Sequence, residues 1–308
     1  MKVAIIGAGT CGLYLGWRLA EKGHKVVIFE RKGKIGNEVC SGLFSQRILK
    51  FIPQSKEQIQ NQINFALLHF PGKTVKLKFS KKFLVMSHYK LDELVASLAQ
   101  EAGAEIVLNN KISSLPEGFD RIIGCDGANS FVRKELKLPD VAFRLGIQGF
   151  IKEKCSLDFV EVWPCLNGFI WKIPRGNEIE YGIVSDFSSA SSLFQSFLKK
   201  NNLLLERTKS RIIPQGLIIS SNSQITLCGD SVGLTKPWSG GGVIWGLSAA
   251  GILLKTFPDF RRFGKKLKRF FLPKIILSKL AVKIVYFLGF RVPWLLPKTA
   301  KMESDFLL

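Results

Sequence analysis

The chain has 308 residues, 46% of them hydrophobic, which is enough to bury a large core and excludes disorder as its main state. Its six cysteines form no CxxC pair, and its three histidines stand at no ligand spacing from one another or from a cysteine. Neither a disulfide scaffold nor a metal site is expected, and a reducing cytoplasm is. Lysine and arginine outnumber acids 45 to 24, a net charge of +21 that favours a polyanionic partner, either nucleic acid or anionic lipid headgroups.

The first thirty residues read as strand, tight loop, helix, strand. Val3 to Ile6 leads directly into Gly7-Ala8-Gly9-Thr10-Cys11-Gly12, then a helix from Leu13 to Lys22 and a strand from Lys25 to Glu30. The chain thus reads as beginning on a buried strand, without a signal peptide. Between a strand and a helix, Gly7 permits the tight turn, Gly9 lets the backbone approach a pyrophosphate, and Gly12 lets helix pack on strand. Glu30 ends the second strand where an acid can accept a ribose hydroxyl, with Arg31 next to it. Dinucleotide binding is the reading of this unit.

A second helix is expected from Lys90 to Ala102, stopped by Gly103, then a strand at Glu105 to Leu108 and another at Arg121 to Gly124. From about Val141 to Ile219 short β-rich segments dominate: Asp158 to Val162, Gly168 to Ile173 and Glu178 to Val184, with a polar Ser-rich stretch at 185–192. An antiparallel sheet inserted into the dinucleotide framework follows. Ile225 to Cys228 returns to a buried strand, and a helix runs from about Gly241 to Lys255.

More than half of the excess charge lies in the C-terminal segment, where residues 255–301 hold thirteen Lys or Arg against Asp259 alone. The apolar run Ile284 to Phe290 is too short to span a bilayer. On a helix after Pro273, Ile276, Leu277, Leu280, Ile284, Phe287 and Leu288 share one side, with Lys274, Ser278, Lys279, Lys283 and Tyr286 on the other half. This is the pattern of a basic amphipathic helix at a lipid interface. Because large aliphatics interleave the basic residues, nucleic acid is not the expected partner.

Two later segments complete a pattern. Gly124-Cys125-Asp126-Gly127 and Cys228-Gly229-Asp230-Ser231-Val232-Gly233, the latter followed by Pro237 and Gly240-Gly241-Gly242-Val243, resemble the DG and GD motifs of the two-dinucleotide-binding flavoproteins, which include aromatic hydroxylases and geranylgeranyl reductases. The resemblance implies an α/β, Rossmann-type FAD-binding domain, with Asp230 on the ribityl or pyrophosphate part of FAD and Gly240 to Val243 opening a helix beside the flavin. Val39-Cys40-Ser41-Gly42-Leu43-Phe44-Ser45 is similar to the cysteine-glycine segment of geranylgeranyl reductases. Phe169-Ile170-Trp171-Lys172-Ile173-Pro174 resembles their YxWxFP motif, with Phe169 replacing Tyr and Ile173 replacing Phe.

By that resemblance Cys40, Ser41 and Gly42 lie near the flavin. The alternative for Cys40 is a buried thiol acting as a small hydrophobe. Trp163, Phe169, Trp171, Pro174 and Pro237 are candidates for the substrate channel or for ordinary core. His88 stands where the family generally has an arginine beside FAD, and Lys90 is a second candidate for that charge.

The implied architecture is an FAD domain from residues 1–45, 85–140 and 225–256, a substrate domain from 46–84 and 141–224, and the basic helical segment 257–308. The implied activity is reduction of C=C bonds in isoprenoid lipids by FAD, itself reduced by NAD(P)H or a ferredoxin, at the inner face of the cell membrane. An FAD monooxygenase on the same fold and a non-catalytic membrane-binding module are the alternatives.

Overall fold

Val3, Ala4, Ile5 and Ile6 are all buried and, with Lys2, form β1 (Lys2–Ile6), followed by α1 (Thr10–Ala20) and β2 (Lys25–Phe29). The computed structural model describes residues 1–36, 39–165 and 167–306. Short β3 (Leu43–Ser45) and α2 (Ile48–Phe51) lead into the long hairpin of β4 (Ile59–Phe70) and β5 (Lys73–Met86). Next come α3 (His88–Glu101), β6 (Glu105–Val107), β7 (Arg121–Gly124) and α4 (Phe131–Glu135). The chain then runs through β8 (Ala142–Ile151), β9 (Phe159–Cys165), β10 (Gly168–Pro174), β11 (Ile179–Ser185), α5 (Ala190–Lys200) and β12 (Glu206–Gln215). It finishes with β13 (Ile225–Leu227), α6 (Val243–Thr256), α7 (Phe260–Arg291) and β14 (Thr299–Met302).

Five strands form one parallel sheet in the order β13-β7-β1-β2-β6. Parallel sheets are covered on both faces, which is why these strands are short apolar runs rather than alternating ones. The second sheet runs β12-β8-β11-β10-β9-β4-β5-β14, with β3 also paired to β5. The inserted sheet was expected to be antiparallel. It is mostly so, but β4 pairs parallel with β9 and β14 parallel with β5, an arrangement open only to strands that no tight hairpin joins. The β4–β9 join fuses the two insertions into one surface.

Three further departures are instructive. The Ser-rich stretch gives way to α5, whose Ala190, Phe194 and Leu198 recur every four residues and pack on the second sheet. The C-terminal helix begins at Phe260, not after Pro273, and passes through that proline. Pro273 lies on the exposed side, where water can take the carbonyl it leaves unpaired, while Phe263, Leu267, Phe271 and Ile275 continue a buried stripe across it. Residues after the helix form β14 and a strap rather than more helix. Among the described residues no helix is long and apolar enough to cross a membrane.

Candidate active site

The carboxyl ends of the parallel strands open into one continuous cavity of about 650 Å³. It starts at Gly9 and Thr10, passes Cys40 and His88, and continues beneath the second sheet to Phe70 and Leu77. At the loop, Gly7 has φ +105°, and a Cβ there would meet the Cys125 carbonyl oxygen at 2.4 Å. A Cβ on Gly12 would collide with the Gly7 carbonyl, whereas one on Gly9 would meet nothing within 4 Å. Gly7 and Gly12 therefore serve packing, and Gly9 keeps the backbone open to a ligand.

Glu30 braces this loop: Oε2 accepts the Ala8 amide at 2.9 Å and Oε1 the Lys32 amide at 3.0 Å. Arg31 is exposed and outside the cavity wall. Asp126 accepts the Val132 amide through Oδ2 at 3.1 Å, while its buried Oδ1 has no protein partner. Burial pushes its carboxyl up despite hydrogen bonds from Ser130 and nearby amides. Its neighbour Gly127 lines the cavity.

On the far side, Gly229, Asp230, Gly240, Gly241, Gly242 and Val243 all line the wall at the start of α6. Asp230 accepts from Arg211 at 3.3 Å, and a Cβ on Gly242 would come within 2.6 Å of Asp230 Oδ1. Gly233 ends the preceding turn in a left-handed conformation and Pro237 is buried; neither is part of the wall.

His88, the first residue of α3, is 9% exposed. Its Nε2 lies 2.7 Å from the Thr10 hydroxyl, which donates to Asp92 Oδ1 at 2.5 Å, and Asp92 lies 3.5 Å from the same Nε2. Burial opposes a charge on the ring, but the Asp92 carboxylate and the Cys40 sulfur outweigh it and push the imidazole up to about 10. His88 is thus a cation at neutral pH, with a buried Nδ1 that has no hydrogen-bond partner. Burial pushes the Cys40 thiol up, but the His88 charge and the Gly42 amide bring it below its ordinary value. Lys90 is exposed and outside the wall, whereas His88 lines it.

Sequence reasoning missed what holds the Cys40 loop. Arg175 donates to the Ser41 carbonyl at 2.6 Å and pairs with Glu180 at 2.6 Å, and Trp171 Nε1 donates to the same carboxylate at 2.9 Å. Both charged side chains are buried, and burial pushes Glu180 up against the opposing pull of Arg175. A glutamate inside the apolar run Ile179 to Ser185 was the available signal. Also missed was the C-terminal strap. Asp305 is fully buried and bonded to Lys236 at 2.7 Å and to Ser45, and Ala300, Met302 and Phe306 close one side of the cavity.

Cys40, Ser41, Phe169 and Trp171 line the cavity; Gly42 and Pro174 lie outside its wall. Trp163 points the other way, stacked on His69 at 5.2 Å and against Phe197 of α5 at 5.0 Å. In the β9–β10 register Trp171 is opposite Val162, and Trp163 is opposite Ile170, so the two indoles occupy opposite faces. Helix α7 roofs the apolar arm with Ser278, Val282, Val285 and Tyr286, whose hydroxyl donates to the Gly168 carbonyl at 2.6 Å. Ser278 and Tyr286, placed from sequence on the half opposite the apolar side, line the cavity, where Tyr286 donates to the Gly168 carbonyl and Ser278 to the Lys274 carbonyl of its own helix.

These groups fit FAD. The open Gly9, the cavity-lining Gly127 and Asp230 and the glycine-lined start of α6 supply a cradle for a long anionic dinucleotide, with Asp126 itself outside the wall.

Residues 5–46 match the NAD(P)-binding Rossmann-like domain family. The digeranylgeranylglycerophospholipid reductase of Methanococcus vannielii is 22% identical over 284 residues, covering 78% of this chain and 72% of that protein. The geranylgeranyl diphosphate reductase of Rhodobacter capsulatus is 23% identical over 298 residues, covering 85% and 76%. Among solved structures, a geranylgeranyl bacteriochlorophyll reductase-like protein from Thermoplasma acidophilum superposes with a TM-score of 0.78 at 18% identity, covering 92% of this chain and 86% of that one. The chain is thus similar in sequence to geranylgeranyl reductases and shares the fold of a geranylgeranyl bacteriochlorophyll reductase-like protein.

Proposed function

We propose that this protein is an FAD-dependent reductase that saturates carbon-carbon double bonds in geranylgeranyl or related isoprenoid chains of membrane lipids. The observation that carries the reading is the single cavity joining a dinucleotide cradle to an apolar arm. The reductase names of the relatives support it. When bound, FAD supplies the hydride. The chain's own residues do the rest. Gly9, Gly127, Asp230 and Gly240 to Gly242 hold the dinucleotide, and His88 supplies positive charge beside Cys40 at the junction with the lipid arm. Val160, Phe169, Trp171 and Ile173 surround the chain and exclude water, with roughly 3 kcal/mol gained per isoprene unit before ordering costs.

Substrate delivery is read from α7. Ile276, Leu277, Leu280, Ile284 and Phe287 are each at least 50% exposed, and Trp294 and Leu295 extend the patch. Lys279 and Lys283 of the same helix are exposed as well. A patch of this composition suits an anionic bilayer, each nearby lysine adding about 1 kcal/mol. The opposite side of the same helix roofs the cavity. Electrons come from NAD(P)H or an acidic ferredoxin attracted by the net charge of +21.

The deciding experiment is the absorption spectrum of the purified protein, followed by anaerobic reduction and addition of a geranylgeranylated lipid. Flavin bands that bleach and return with the prenyl lipid establish the reductase. Return only with oxygen indicates a monooxygenase, and a colourless protein that takes up no added FAD removes the proposal.

A further inference from the structure

The cysteines carry no spacing pattern in the sequence, yet three of them meet. Cys11 is the second residue of α1, Cys125 directly follows β7, and Cys228 directly follows β13. Strands β13, β7 and β1 are neighbours, so the residues leaving their carboxyl ends arrive at one level. Cys11 Sγ lies 3.5 Å from Cys228 Sγ and 3.6 Å from the Gly246 carbonyl oxygen. Glycines make the room: a Cβ on Gly229 would sit 3.2 Å from Cys11 Sγ, and one on Gly12 would sit 3.1 Å from Cys125 Cβ. All three cysteines lie at the cavity; Cys11 and Cys125 are partly exposed to it, while Cys228 is fully buried behind them.

We propose that Cys11 and Cys228 are a peroxide-responsive thiol pair built into the dinucleotide loop. The Cys11 thiolate attacks hydrogen peroxide, breaking the O–O bond, becoming a sulfenic acid and releasing hydroxide, which takes up the proton lost by the thiol to leave water. The Cys228 sulfur then attacks the Cys11 sulfur and displaces the second oxygen, which leaves as water with the Cys228 proton. Two thiols are oxidised to one disulfide and one peroxide is reduced to two waters. Closing from 3.5 Å to a bond of about 2.05 Å draws the first turn of α1 toward the end of β13.

Cys11 is equipped as the attacking thiol. It sits in the first turn of a helix, and hydrogen bonds from Cys125 and Cys228 draw it down to about 5 against burial and the charge of Asp230. The same bonds push Cys125 and Cys228 up. The inference is independent of the activity proposed above.

The test treats the purified protein with one equivalent of hydrogen peroxide, counts free thiols, and maps the non-reduced digest by mass spectrometry. Two of the six thiols should disappear and return with dithiothreitol, with a peptide pair joining Cys11 to Cys228. Cys11→Ser should abolish the link, and Cys228→Ser should leave a sulfenic acid at Cys11 that dimedone captures. A link that omits either residue, or a Cys11 that still alkylates at its untreated rate after peroxide, overturns the proposal.

Discussion

His88 Nε2 stands 2.7 Å from the Thr10 hydroxyl, so the first residue of α3 is tied to the first residue of α1, the helix that begins at the glycine loop. With His88 charged, Nε2–H donates to Thr10, and Thr10 passes its own proton donation to Asp92. The Cys40 sulfur acts on the same ring and helps to hold its charge.

This relationship has a pH signature. The His88 value is raised from 6.5 to about 10, so its contribution to stability is complete below about pH 6.5 and is lost as pH rises through about 10. Urea midpoints of wild type and His88→Gln should therefore differ most near pH 6 and converge above pH 10, at about those bounds. A constant difference across that window would show that the imidazole is neutral.

The Arg175–Glu180 pair should be unforgiving of single changes. Arg175→Met leaves Glu180 buried and unpaired, at a cost of about 3–5 kcal/mol in denaturant unfolding. The double variant Arg175→Met/Glu180→Met should recover most of that loss. Alkylation of Cys40 should change rate in both, since both release the Ser41 carbonyl.

The glycine loop separates folding from binding. Gly7→Ala should cost on the order of 2–4 kcal/mol, through its positive φ and its collision with the Cys125 carbonyl. Gly9→Val should leave thermal stability near wild type, because nothing lies within 4 Å of the new Cβ, while lowering retained flavin in the purified protein.

Replacing Leu277, Ile284 and Phe287 together with glutamate should change unfolding free energy little, as these side chains are already exposed. Flotation with anionic vesicles at low salt should be lost in this variant, and weakened by high salt in wild type. Equal flotation of both proteins would place the lipid contact elsewhere.

Trp171→Ala and Trp163→Ala provide an internal control. Both remove a large packed side chain, at roughly 3 kcal/mol or more each, but only Trp171 faces the cavity. Prenyl-lipid turnover, normalised to folded protein, should fall in the first and hold in the second.

The glycine loop, the strands around it, the DG and GD segments and the Cys40 segment were legible in the sequence. Each is a local pattern whose spacing is set by a turn, a helix start or a strand end, and the short parallel strands announce themselves as apolar runs. Tertiary structure decided what depends on strand order and register. Trp163 and Trp171 look equivalent along the chain, but the β9–β10 pairing puts them on opposite faces. The buried stripe of α7 carries the helix through Pro273, leaving a second apolar side exposed. Cys11, Cys125 and Cys228 converge only because β1, β7 and β13 are neighbours, and Asp305 finds Lys236 only because the tail folds back along β5. Local geometry is set by covalent neighbours and their hydrogen bonds; contacts across a hundred residues are set by which faces bury together, and no spacing along the chain encodes that.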